Sequence, residues 1–234
     1  MINAYKKFGY YYDEVMAELD YDLWLEFIEP YLDKGDSVLD LACGTGTLAT
    51  MLKLSGYDSE GLDLSESIIE IANEKKKINH LDIPFHVMDM TKFNLGKKYD
   101  MITCFFDSVN FLQTPKQISN LFDCVYRHLK KDGYFIFDIF SKEMMREYEH
   151  NEIHKDYETF YLDWTTKKAT PKSLKHTISI KEIDETFTES YYEYYYDIKD
   201  VLNKKFKLIK VSGDFNDDLE EEDERILLVM QRID

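Results

Sequence analysis

The chain has 234 residues, of which 29 are basic and 46 acidic, for a net charge of −17. That length suits one domain carrying an insertion and can bury roughly 70% of the unfolded chain's surface, while the acidity opposes phosphate backbones and anionic lipid, so neither nucleic acid nor a membrane is an expected partner. No apolar run reaches transmembrane length, and Met-Ile-Asn-Ala-Tyr-Lys-Lys lacks the apolar core of a signal peptide, which points to the cytoplasm.

Residues 1–34 read as helical and aromatic, with Tyr5, Phe8, Tyr11 and Tyr12, then Leu19, Leu23, Trp24, Phe27 and Ile28 at near-helical spacing. The next stretch, Val38 to Gly46, reads Val-Leu-Asp-Leu-Ala-Cys-Gly-Thr-Gly and organises the rest of the chain. Val38, Leu39, Leu41 and Ala42 are apolar without alternation, as a central parallel strand buried on both faces requires. Gly44 and Gly46 let the backbone turn tightly and come close to a ligand. Leu48, Met51 and Leu52 then recur at helical spacing. Strand, glycine turn and helix together make the unit found at Rossmann-like nucleotide sites.

Asp40 discriminates between cofactors. A dinucleotide places its pyrophosphate on the glycine turn and the helix N-terminus, where a carboxylate four residues before Gly44 would repel it. S-adenosylmethionine offers an ammonium and a sulfonium instead, and a charge-assisted hydrogen bond to such a group contributes roughly 1.5 to 3 kcal/mol. Asp63 follows Gly61-Leu62 at the end of the next expected strand, placed to take two ribose hydroxyls. These features weaken a dinucleotide oxidoreductase reading.

At this point the chain resembles the class I S-adenosylmethionine-dependent methyltransferases, whose first motif ends in the same Asp-x-Ala-Cys-Gly-Thr-Gly run. The resemblance covers roughly the first 140 residues and, by topology, about the last 40. It implies a cofactor set of Asp40, Ala42, Cys43, Gly44 and Gly46 from the first motif and Asp63 with Leu64 from the second strand end. Phe8-Gly9-x-x-Tyr12-Asp13 resembles the Phe-Ala-x-x-Tyr-Asp opening of small-molecule methyltransferases, where the segment folds over the cofactor, so Tyr5 and Tyr12 are lid candidates. An ordinary amphipathic helix explains the same pattern.

Farther along, Gly56 stops the first helix and Ser65 caps one carrying Ile68, Ile69, Ile71 and Ala72. A third strand through Phe85, Val87 and Met88 ends at Asp89, which by resemblance meets the adenine amino group while the Met90 amide meets the ring. The fourth strand, Tyr99 to Phe106, ends in Asp107-Ser108-Val109-Asn110, on the sheet edge where ligands sit. Phe106 joins the cofactor set there. Asp107, Asn110 and Tyr12 are the catalytic candidates, Asp107 or Tyr12 as proton acceptor. No Asn-Pro-Pro-Tyr stretch marks an adenine, cytosine or glutamine-amide methylase, and Asn110-Phe111 stand where sugar-amine N-methyltransferases tend to carry a histidine.

Thr114-Pro115-Lys116-Gln117 is a capping box, and its helix shows Ile118, Leu121, Phe122, Val125, Tyr126 and Leu129 on one face before Gly133. Tyr134 to Asp138 makes a fifth strand. From 142 to 196 alternation replaces helical spacing, notably over Thr177 to Ile180 and Thr186 to Tyr196, with a turn at Thr170-Pro171-Lys172-Ser173. Tyr191 to Tyr196 could line an acceptor pocket or simply pack the sheet. Two last strands, Phe206 to Val211 and Arg225 to Ile233, fit the reversed final hairpin of the family. Cys43, Cys104 and Cys124 form no disulfide framework, His86 and His176 have no partner at metal-ligand spacing, and no metal is expected.

The expectation is an α/β fold: a doubly wound, Rossmann-like seven-stranded sheet with an antiparallel last strand, plus a small antiparallel β insertion after the fifth strand. Residues 1–141 and 197–234 would form the cofactor-binding core, with 1–34 as a helical lid, and 142–196 a substrate cap. The function implied is methyl transfer from S-adenosylmethionine to a small molecule, at nitrogen or oxygen rather than carbon. The alternative is a non-catalytic S-adenosylmethionine-binding regulator whose cap binds a partner. Nothing in the sequence selects between a monomer and a homodimer.

Overall fold

The structure is a computed structural model and describes residues 7–233. Two short helices, α1 (Gly9–Val15) and α2 (Asp22–Ile28), precede strand β1 (Ser37–Leu41). Then follow α3 (Thr47–Leu54), β2 (Asp58–Asp63), α4 (Glu66–Ile78), β3 (Phe85–Val87), β4 (Tyr99–Cys104), α5 (Pro115–His128), β5 (Leu129–Phe140) and α6 (Lys142–Tyr148). Four strands come next: β6 (Glu152–Asp156), β7 (Tyr161–Thr170), β8 (Ser173–Lys181) and β9 (Thr186–Tyr194). The chain closes with β10 (Phe206–Gly213) and β11 (Arg225–Arg232).

The large sheet runs β10-β11-β5-β4-β1-β2-β3, and β11 lies antiparallel to both its neighbours. Alternation assigns its two faces. Leu39, Leu41, Ile102, Phe135 and Phe137 pack under α5, whose Leu121, Phe122 and Val125 belong to the same core, while Val38, Met101, Ile136 and Leu227 face Trp24, Ile28, Leu48 and Leu52 of α2 and α3. Both faces of β1 are therefore covered, which is why its sequence shows no alternation. Strand order reverses beside β1, opening the crevice between the carboxyl ends of β1 and β4 that such sheets use for ligands.

The second sheet, β6-β7-β8-β9, is antiparallel throughout, and Thr170 to Ser173 makes its β7–β8 turn. Its inner face does not pack on itself alone: Leu162, Ile178, Ile180 and Tyr191 share a core with Phe8, Tyr11 and Tyr12 of the N-terminal segment. The β insertion opens on a helix, α6, β5 begins at Leu129 before the expected Tyr134, and two further boundaries depart from the sequence expectation. The fifth helix ends at His128, and Gly133 lies inside β5, where an added Cβ would stand 2.7 Å from the Asp100 carbonyl of β4. That glycine permits close strand approach and is not a helix stop. β4 ends at Cys104, two residues early, because Phe106 and Asp107 both turn to φ +57°.

Candidate active site

The glycine turn is built around Asp63. Ala42 (φ +52°) and Gly44 (φ +55°) take left-handed backbone, and the Gly44 amide donates to Asp63 Oδ2 at 3.2 Å while the Ser65 amide donates to Oδ1 at 2.8 Å. A Cβ built at Gly44 meets no atom within 4 Å, so that side of the turn opens into the crevice; one at Gly46 would strike the Phe85 ring at 2.5 Å. The two glycines thus serve different ends. Gly44 leaves a cradle, and Gly46 lets α3 start against β3.

Asp40, 4% exposed, accepts from Thr103 Oγ1 at 2.7 Å and has no cation beside it among the described residues. Burial pushes its carboxyl up to about 7, against the Thr103 bond, and the Asp63 charge adds to the rise. Burial raises Asp63 too, against the two amide bonds. Two carboxyl groups held in a crevice with their pKa values raised favour a cationic ligand, which would relieve the cost of ionising them. Asp89 behaves oppositely. Burial pushes its carboxyl up, but the Thr91 hydroxyl and amide, both donating to Oδ1, hold it below the ordinary range.

These groups line one cavity of about 220 Å³. Of the expected cofactor residues, Asp40, Ala42, Cys43, Gly44, Asp63, Leu64, Asp89, Met90 and Phe106 are on its wall. Gly46 is not, since its turn faces Phe85, and Tyr5 lies outside the described residues. Of the catalytic candidates Tyr12 reaches the wall, whereas Asp107 and Asn110 do not. Asp107 is drawn away by Arg225, whose Nη1 donates to its Oδ1 at 2.8 Å. Burial raises the Asp107 carboxyl, against the pull of that guanidinium. Asn110 is fully buried, its Nδ2 donating to the Tyr194 carbonyl at 2.9 Å and its Oδ1 accepting from the Phe140 amide at 3.3 Å. Asn110 thus holds two backbone segments together, while the Asp107 side chain pairs with a guanidinium.

The aromatic part of the wall comes from separate elements. Tyr12 enters from α1, Tyr21 from the turn before α2, Phe105 and Phe106 from the end of β4, Phe111 from the short helical turn Ser108–Phe111, and Tyr191 and Tyr192 from β9. Tyr194, Tyr195 and Tyr196 are absent from the wall; Tyr196 OH donates to the Leu112 carbonyl and Tyr195 OH to Asp197 Oδ1 at 2.8 Å. Tyr21, Phe111, Gln113 and Gln117 are wall residues that sequence reasoning did not pick out. Asp13 has a role the sequence only hinted at through its motif: its Oδ1 accepts from Thr45 Oγ1 at 2.5 Å and its Oδ2 from Lys75 Nζ at 2.8 Å, tying α1 to the glycine turn.

A family model described as "Methyltransferase domain" matches residues 38–133, the span from β1 through α5. Fold, glycine turn and family match together support a class I S-adenosylmethionine-dependent methyltransferase. It is 28% identical to an S-adenosylmethionine-dependent methyltransferase from Clostridium acetobutylicum ATCC 824, with a TM-score of 0.85 over 99% of this chain and 100% of that one. It is also 29% identical, over 98% of its length and 100% of the relative's, to a Geobacillus sp. (strain WCH70) protein whose methyltransferase name is itself provisional. Over 43% of this chain and 38% of the relative it is 33% identical to the dTDP-3-amino-3,6-dideoxy-alpha-D-glucopyranose N,N-dimethyltransferase of Streptomyces fradiae. S-adenosylmethionine is the cofactor, and the open cradle at Gly44 beside two buried carboxyl groups with raised pKa values fits a ligand that carries positive charge and no phosphate.

Proposed function

We propose that this chain methylates nitrogen or oxygen of a small molecule in the cytoplasm, with residues 1–141 and 197–234 as the cofactor-binding core and 142–196 as the acceptor cap. The observation that carries the reading is the continuity of one cavity from Gly44 and Asp63 to Tyr12, Tyr191 and Tyr192. A regulator that merely displayed the cap to a partner would not need its strand β9 on the wall of the cofactor crevice. When bound, S-adenosylmethionine supplies an electrophilic methyl group, whose bond to sulfur breaks as the acceptor's lone pair bonds the carbon, the bonding electrons staying on sulfur.

The protein's part is to bind, orient and dry the site. Asp63 would take the ribose hydroxyls, Asp89 the adenine amino group and the Met90 amide the ring. Asp40 would face the ammonium. Tyr12 would sit over the acceptor. Tyr21 cannot serve as a tyrosinate near neutral pH, because burial and the Asp13 and Asp40 charges push its phenol up to about 12. S-adenosylhomocysteine at 100 times its Kd should stabilise the fold by about 2.7 kcal/mol, and NAD should not; a melting-temperature shift with NAD alone would sink the assignment. Asp63→Ala should weaken S-adenosylhomocysteine binding by about 1.5 to 3 kcal/mol, and an unchanged calorimetric titration would remove Asp63 from the site.

A further inference from the structure

The cavity wall is unbalanced in charge. Among the described residues that line it there is no lysine, arginine or histidine, while Asp40, Asp63 and Asp89 are all present. One cation comes near: Lys75 Nζ lies 3.1 Å from Thr45 Oγ1 and 2.9 Å from Thr47 Oγ1, but it is spent on Asp13 at 2.8 Å. The acceptor side is lined by aromatic rings instead. Phe111 stacks on Tyr191 at 5.2 Å, Tyr191 is backed by the His176 ring at 4.7 Å, and Phe106 is wedged against Tyr21 at 4.9 Å and Trp24 at 4.4 Å. The polar side chains on that wall, such as Gln113 and Gln117, are neutral.

Resting on the methyltransferase reading, we propose that the acceptor is an amine on an apolar, ring-sized framework that carries no phosphate or carboxylate. An anion placed here would be stripped of water with no counter-charge to replace it, a cost of several kcal/mol. Aromatic faces are negative and draw cations, so the walls that repel a phosphate hold an ammonium. The net charge of −17 steers approaching ligands the same way. This sets the chain apart from the nucleotide-linked amino sugars in the names of its partial relatives, whose diphosphate would find no cation among the described residues of this wall.

The test uses the full chain saturated with S-adenosylhomocysteine, titrated by calorimetry and melting temperature with benzylamine, phenethylamine and cyclohexylamine, and in parallel with benzoate and thymidine diphosphate. At least one amine should bind and raise the melting temperature, with benzoate and thymidine diphosphate at least tenfold weaker. Phe111→Leu should weaken amine binding about fivefold and leave S-adenosylhomocysteine affinity unchanged. Binding of benzoate or thymidine diphosphate as tight as that of the amines, or no binding by any of the three amines, overturns the proposal. Failure of S-adenosylhomocysteine itself to bind would overturn the methyltransferase reading instead, so the two failures are distinguishable.

Discussion

Asp40 carries the clearest consequence at the level of a single residue. Its carboxyl is raised from 3.8 to about 7 by burial, so the cofactor-free fold binds a proton there that the unfolded chain gives up at lower pH. The stability linked to that proton is fully present below pH 4 and is lost as pH rises through about 7. A cationic ligand reverses the preference, because it favours the ionised form. S-adenosylhomocysteine binding should therefore release a proton below pH 7 and weaken as pH falls, which calorimetry in buffers of different ionisation enthalpy would detect. Asp40→Asn should reduce that proton release, leaving the contribution of Asp63, and a variant with the full wild-type release would remove Asp40 from the linkage. Asp40, Gly44 and Asp63 were legible in the sequence because their duties are set by the backbone within a few residues: a strand end, a left-handed turn, a second strand end. His128 was not. In the stretch Arg127-His128-Leu129-Lys130-Lys131 it reads as a surface residue, yet it is buried, accepting from the Leu95 amide at 3.1 Å and bonded to the Cys124 carbonyl at 2.7 Å.

The turn after β4 shows what elements do to one another. Two consecutive left-handed residues other than glycine, Phe106 and Asp107, are uncommon and cost of order 1 to 3 kcal/mol each. Asp138 at the end of β5 holds them: its Oδ2 accepts from the Phe106 amide at 3.1 Å and from Trp24 Nε1 at 3.1 Å, and its Oδ1 accepts from the Asp107 amide at 2.8 Å. Arg225 of β11 then bridges Asp107 and Asp138, at 2.8 and 2.9 Å. The cluster presents the Phe106 ring to the cavity. No spacing in the sequence announces it, since its members come from α2, the β4 end, β5 and β11 and meet only because the sheet orders β11-β5-β4. Arg225→Met would leave two buried carboxyl groups facing each other and should destabilise the fold by about 3 to 5 kcal/mol. Urea unfolding at pH 7 measures the loss, and a loss below 1 kcal/mol would mean the cluster does not hold the turn.

Across the whole molecule, the cavity is lined by both sheets and by Tyr12 of α1, a helix that packs on the cap through Phe8, Tyr11 and Tyr12 and is tied to the glycine turn through Asp13. The N-terminal segment was expected as a lid from its Phe-Gly-x-x-Tyr-Asp pattern, and Tyr12 does reach the cavity. The cap's four strands were only half legible: β8 and β9 alternate cleanly, whereas the exposed β6 carries no apolar face to betray it. The Asp13–Lys75 pair is partly exposed, 44% and 28% for the two side chains, so alone it contributes at most about 1 kcal/mol. Asp13→Ala should speed S-adenosylhomocysteine release a few-fold and blunt the dependence of that rate on salt, as stopped-flow displacement would show. An unchanged release rate would mean α1 is not held over the site through Asp13.

Phe8 shares its core with Leu162, Ile178 and Tyr191, which orders events during synthesis. Residues of α1 precede the cap by well over a hundred positions, and until the cap forms their apolar support is α4, where Gly9 lies against Ile68 and Ile71. Contacts so distant along the chain form late, because the connecting loop must be closed before they reward it. The glycine crevice can assemble early, from β1 to β4. The packing of α1 on the cap is completed last, although α1 precedes every strand in the chain.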